Sequence, residues 1–173
     1  MRQRGFTFVE MMVAVTILGT VLAVAIPSYI QLIDREKLKS AAELMYSSLQ
    51  KARSFAKARS ENVFITVSTT GSAWCYGMHA GTAACNCNTA NACNVEQILS
   101  TDPEFNFSTI TISSNSLSGQ NFDQVRGVVN GAGGSVTFKS PKGKEIRVLL
   151  SATGEIRHCS PSGSSNFGAY PTC

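Results

Sequence analysis

Arg4-Gly5-Phe6-Thr7-Phe8-Val9-Glu10-Met11-Met12-Val13-Ala14-Val15 opens the stretch on which the reading of this chain turns, and after Glu10 no charged residue occurs until Asp34. At about 1.5 Å of rise per residue, roughly 23 uncharged helical residues cross a hydrocarbon layer of about 30 Å, so residues 6–33 are expected to form a transmembrane helix. The basic leader Met1-Arg2-Gln3-Arg4-Gly5 should stay on the cytoplasmic side. A secretory signal peptide is the obvious competitor, but Pro27-Ser28-Tyr29 offers no Ala-x-Ala cleavage site and Ala23 to Ala25 only a partial one. An ordinary one-pass anchor leaves Glu10 unexplained, because an acid in an apolar segment is costly and is usually kept for a partner. The plainer reading of Glu10 is that it sits at headgroup depth.

Outward from this stretch, Asp34-Arg35-Glu36-Lys37 marks an exit from the apolar run. Leu38, Ala41, Ala42, Met45, Leu49, Ala52, Phe55 and Ala56 then recur in steps of three and four, one face of an α-helix. Residues 34–61 are therefore expected to be an amphipathic helix continuous with the first. Lys51, Arg53, Lys57 and Arg59 lie on the rest of its surface and read best as a solvated face. The whole chain has 173 residues, enough for one domain with a real core. A net charge of +4 is too mild to imply a nucleic-acid binder, and a charged fraction of 15% fits neither extensive disorder nor a coiled-coil rod.

The quoted stretch, with Ile26-Pro27-Ser28-Tyr29 behind it, resembles the class III signal of type IV pilins and pseudopilins. The resemblance implies that a prepilin peptidase cuts between Gly5 and Phe6, removing residues 1–5, and methylates the new amino group of Phe6. It also implies that Glu10 pairs with the N-terminal ammonium of a neighbouring subunit during assembly, two charges cancelling where either alone is expensive. Pro27 resembles the family's helix-kinking proline, and physically it removes one intrahelical hydrogen bond.

Beyond Glu61 the texture changes to β-branched and aromatic runs broken by Gly, Ser and Asn. Strands are expected at 63–68, 73–77, 107–112, 124–129, 135–139, 145–150 and 155–159, with turns at 70–71, 130–134, 141–143 and 153–154. The last four are closely spaced, so antiparallel pairing is the simple expectation. The expected fold class is α+β: a long N-terminal helix, membrane-spanning in its first half and amphipathic in its second, packed on an antiparallel β-sheet domain over residues 62–173. Residues 49–59, then Trp74 with Gly77, Val136 to Gly143, and Gly154-Glu155-Ile156-Arg157-His158-Cys159 resemble the GspH/FimT/FimU group of minor pseudopilins. The departure from that pattern is a Cys-rich insertion at 79–94.

All six cysteines, Cys75, Cys85, Cys87, Cys93, Cys159 and Cys173, follow the apolar segment. An even number in a small exported domain argues for three disulfides, with fifteen connectivities open. Cys159 with Cys173 would staple the Gly/Ser-rich tail, leaving Cys75 to share the insertion's three cysteines. The rival is a metal site from Cys85, Cys87 and Cys93 with Cys75 or His79, but a one-residue gap between Cys85 and Cys87 fits structural zinc poorly. No metal and no cofactor is therefore expected.

No catalytic constellation emerges. His79 and His158 are the only histidines, no nucleophile elbow surrounds any serine, and Asp102, Glu104 and Asp123 read as solvated acids. Trp74 reads as core beside Cys75. Charge is distributed unevenly. Residues 62–125 hold four acids and no Lys or Arg, whereas residues 126–157 hold six basic residues against two acids. Lys142, Lys144, Arg147 and Arg157 could contact a neighbouring subunit or DNA. Glu155 beside Arg157 and the absence of basic residues after His158 weaken the DNA reading, since phosphate binding needs several cations at once.

The expectation from sequence is thus a non-enzymatic minor pilin of FimT/FimU type that primes assembly of a type IV pilus and sits at or near its tip. Its expected partners are other minor pilins, the major pilin, an inner-membrane assembly platform and a prepilin peptidase, with membrane insertion before assembly. Its expected place is the inner membrane with the C-terminal domain in the periplasm, and then the extracellular pilus. The alternatives are a DNA-binding receptor in natural transformation and a GspH-like minor pseudopilin of type II secretion.

Overall fold

Helix α1 (Phe8–Arg59) starts where the Thr7 hydroxyl turns back to accept the Glu10 N–H at 3.3 Å, an N-cap that satisfies one of the helix's orphan donors. Glu10 stands in the first turn, where the helix dipole favours an acid. At the other end Ser60 takes φ 54° and the Glu61 N–H reaches the Ala56 carbonyl at 3.3 Å, which closes the helix in a Schellman arrangement. The computed structural model describes residues 5–173, so residues 1–4 of the expected leader lie outside the described residues. The chain divides into two compact units, Met1–Arg35 and Glu36–Cys173.

In the first unit the apolar side chains from Phe6 to Ile33 that are described are exposed. The expectation of a membrane-spanning first half is corrected here. Among the described residues no helix is long and apolar enough to cross a membrane. Glu10 stands near the start of the run, and Thr16 and Thr20 lie within it. The two threonine hydroxyls remain polar groups that hydrogen-bond to the carbonyls of Val13 and Ile17 at 2.9 and 2.8 Å. The expected transmembrane segment falls with this finding. So do the insertion before assembly and the inner-membrane, periplasmic and pilus location that depended on it. The helix runs unbroken through Pro27, and the Pro27 side chain lies outside the described residues.

In the second unit, α1 buries Leu38, Ala41, Ala42, Met45, Leu49, Ala52 and Ala56 completely. These small and medium side chains allow close approach of the β domain. Phe55, expected on the same stripe, is only half-buried, with the Arg59 guanidinium 5.7 Å from its ring centre. Eight strands follow: β1 (Val63–Thr70), β2 (Ala73–Ala80), β3 (Glu96–Leu99), β4 (Thr111–Asn115), β5 (Asn121–Phe122), β6 (Gly133–Lys139), β7 (Glu145–Ser151) and β8 (Ile156–Cys159). They form two four-stranded sheets, ordered β3-β2-β1-β5 and β4-β6-β7-β8, with antiparallel pairing throughout. A short 3-10 helix, Gly163–Ser165, lies in the tail.

Alternation sets the inner faces. Val63, Ile65 and Val67 of β1 and Ile146, Val148 and Leu150 of β7 point into one core. Trp74 on β2 joins the two sheets. It is buried, donates its indole N–H to the Ile110 carbonyl at 2.7 Å, stacks near Tyr76 and Phe107, and meets Phe138 of β6 edge-on at 5.2 Å.

Two expected strands are not strands. In 107–112, Phe107 and Ile110 are buried from within a turn and only the end enters β4. In 124–129, Asp123 imposes a turn instead, its Oδ2 accepting the N–H groups of Val125 and Arg126 at 3.1 and 2.9 Å. Strand β3, unassigned from sequence, pairs with β2 across four residues just after the Cys-rich insertion.

Candidate functional site

Three regions carry the residues singled out above. The first is the N-terminus. Gly5 and Phe6 are exposed, as is Glu10 two residues into α1. The Thr7-x-x-Glu10 spacing also has the form of a capping box, a signal present in the sequence that the assembly reading of Glu10 passed over.

The second region is the Cys-rich loop between β2 and β3. Cys75 pairs with Cys87 and Cys85 with Cys93. The loop folds onto the outward side of β2 at Gly77, and a Cβ there would stand 2.2 Å from Cys93 Sγ and 3.0 Å from Cys85 Sγ. Gln97 pins the loop to β3, donating to the carbonyls of Cys87 and Thr89 at 3.0 and 2.8 Å. Asn94 brackets the Ala80 backbone, accepting its N–H at 2.7 Å and donating to its carbonyl at 3.1 Å. With every cysteine in a disulfide, the thiolates of the rival metal site are taken. Among the described residues no group of three or more His, Cys, Asp or Glu side chains could hold a metal ion.

The third region is the closing sheet with its tail. Cys159 and Cys173 are bonded, and Ser160 pairs with Thr172 in a parallel bridge, so the tail runs along the free edge of β8. A loop of this size contributes roughly 3 kcal/mol in the chain-entropy picture. The Ser160 hydroxyl, fully buried, donates to the Glu145 carbonyl at 3.0 Å and accepts the Phe167 N–H at 2.7 Å. On the helix side, the His158 ring lies between Tyr46 and Tyr170, at 4.5 and 5.2 Å between ring centres, and its Nε2 is 3.3 Å from the Ala42 carbonyl. Tyr170 in turn donates to Glu43 Oε1 at 3.2 Å.

Burial, and then the Glu43 carboxylate beside it, push the Tyr170 hydroxyl up to about 12. Raised above its unfolded value near 10, this group favours the docked tail fully below about pH 10, and that contribution is lost as pH rises through about 12. Phenolate absorbance should therefore show one tyrosine ionising near pH 12, and Glu43→Gln should bring it partway back towards 10. Burial likewise raises the hydroxyl of Tyr76, against the opposing hydrogen bond it shares with Ser48 at 3.2 Å.

The four cations proposed from sequence are not one open patch. Arg147 Nε donates to Thr137 Oγ1 at 3.0 Å, and Arg157 Nε lies 3.5 Å from Glu155 Oε1. Lys142 is exposed at the turn between β6 and β7, and Lys144 sits half-buried after it. Lys51 and Glu96 form an ion pair between α1 and β3. The sequence reading missed the loop 123–127, whose backbone is fixed by Asp123 and by Arg53 Nε donating to the Gly127 carbonyl at 3.0 Å.

Two family models match this chain. One, described as the prokaryotic N-terminal methylation motif, covers residues 1–26, and the other, type II transport protein GspH, covers residues 41–154. No curated protein matches it. Among solved structures, the minor pseudopilin EpsH from the type 2 secretion system of Vibrio cholerae is similar at 11% identity, over 73% of this chain and 99% of that one, with a TM-score of 0.49.

Proposed function

We propose, from the premise that the chain belongs to the type II transport protein GspH family, that it is a minor pseudopilin of a type II secretion system. The observation that carries this reading is the GspH match across 41–154 behind a methylation motif at 1–26. Members of this family are structural subunits rather than enzymes, and membership implies other pseudopilins and an assembly machinery as partners. The match favours the secretion alternative over the FimT/FimU-like pilus subunit expected first.

The chain's own residues supply the parts such a subunit needs. Cleavage between Gly5 and Phe6 would free the Phe6 amino group for methylation. Exposed Glu10 would accept the ammonium of a neighbour, and the exposed apolar side chains from Phe6 to Ile33 would pack against other subunits. Glu10 belongs to the first unit and the β domain to the second, so Glu10→Ala should leave that domain folded while removing function. In a host deleted for this chain, export of type II cargo should fall to background. Wild type should restore it and Glu10→Ala should not. Intact export with loss of surface pili would overturn the assignment.

A DNA receptor requires several cations available together. Arg147 and Arg157 are engaged with Thr137 and Glu155, so the purified chain is expected to leave the mobility of duplex DNA unchanged at low salt.

A further inference from the structure

Among the described residues of the second unit, Val125 is the one large apolar side chain left exposed, at 74%. Its loop is not slack. Besides the two bonds to Asp123 Oδ2, the Gln124 N–H meets Asn62 Oδ1 at 3.1 Å, the Gly127 N–H meets the Asp123 carbonyl at 2.9 Å, and Arg53 holds the Gly127 carbonyl. A rigid loop that presents an apolar knob loses little entropy on docking. Arg126 is exposed next to the knob, and the stem of Lys57 packs against Gly127, about 3 Å from where a Cβ would stand. Neither Arg126 nor Lys57 has an acid within 4.0 Å among the described residues.

The complementary surface is on the same chain. The loop after β3 presents Asp102-Pro103-Glu104-Phe105, with Pro103 and Glu104 exposed and Phe105 half-exposed. It is rigid for the same reason. Asp102 Oδ1 accepts the Glu104 N–H at 3.1 Å, its carbonyl accepts the Phe105 and Asn106 N–H groups, and Phe105 stacks on Phe107. Glu104 has no cation within 4.0 Å among the described residues. The acidic loop follows β3 and the basic loop follows β5, the opposite edges of one sheet. The two loops therefore belong to opposite edges of the same domain.

We infer that the Val125-Arg126 loop of one copy docks on the Asp102–Phe105 loop of a second copy, the valine against Pro103 and Phe105, and Arg126 and Lys57 against the acids. Such a contact is head-to-tail, joins different patches, and so can propagate beyond a dimer.

The test places a photo-crosslinking amino acid at position 125 of the purified full-length chain in mild detergent and maps the products by mass spectrometry. Crosslinks should join position 125 to residues 101–106 of a second copy. Arg126→Glu should lower their yield about fivefold, the scale of one exposed charge pair. Mixing that chain with one carrying Glu104→Lys should restore much of the yield, and higher salt should weaken the native pairing. Crosslinks that map elsewhere, no crosslinked second copy, or a yield indifferent to Arg126→Glu would each overturn the inference.

Discussion

Gly77→Ala is expected to destabilise the β domain by about 3 kcal/mol, the upper end for overpacking a filled site. Gly77 sits in the body of β2, where its backbone is ordinary, so the reason is not conformational freedom. The added Cβ would stand 2.2 Å from Cys93 Sγ, and that sulfur cannot swing away because it is bonded to Cys85. Either the Cys-rich loop lifts from the sheet, freeing the Gln97 and Asn94 contacts, or β2 shifts against β1. A double-mutant cycle separates this contact from general strand effects. In a Cys85→Ala, Cys93→Ala background the sulfur is gone and only the Cys93 Cβ remains, at 3.2 Å. There the same substitution should cost about 1 kcal/mol, within the range of mild overpacking. Urea unfolding followed by the fluorescence of Trp74, the single tryptophan, reads both numbers. Equal penalties in the two backgrounds would show that the loop does not rest on Gly77.

Trp74→Ala is expected to cost about 4 kcal/mol, as for other large aromatic truncations in cores. The side chain fills space between the two sheets and touches rings from β2, β6 and the 105–107 turn region. Its removal also leaves the Ile110 carbonyl without the indole donor. Trp74→Phe keeps most of the packing and loses that bond, so it should cost about 1–2 kcal/mol, the scale of one buried hydrogen bond with its unsatisfied partner. Circular dichroism, which does not depend on the lost fluorophore, is the suitable readout. A small effect of Trp74→Ala would mean that the sheets are held together elsewhere.

Periodicity made much of this fold legible. The stripe from Leu38 to Ala56 is a local pattern that reports burial directly, and most of those side chains are buried. Trp74 as core and the bonded state of all six cysteines could be anticipated from residue type and number, although the pairing within the insertion could not. The failures have physical causes. Residues 124–129 look strand-like by composition, but Asp123 captures two successive backbone N–H groups and turns the chain. Phe107 and Ile110 look like strand residues because they are buried, yet they reach the core from a turn. Strand β3 is short and exists through pairing with β2 and the bonds from Gln97, neither of which is written in local sequence.

The expected membrane span is corrected by the described residues, among which no helix is long and apolar enough to cross a membrane. At the candidate site, Glu10 and the Gly5/Phe6 junction were legible as a motif. The basic residues were legible only as a tally. Net charge over residues 126–157 does not reveal that Arg147 is tied to Thr137 or that Arg157 faces Glu155. Nor does it reveal that Val125 is held out by a fixed loop.

Crosslinking in cells, with this chain as bait and mass spectrometry of the linked peptides, tests the secretion assignment most directly. The expected products join it to other pseudopilins of a type II secretion system, with Phe6 recovered as a methylated N-terminus. Products confined to type IV pilus subunits, or a chain that retains Met1 and reaches neither set, would overturn the assignment.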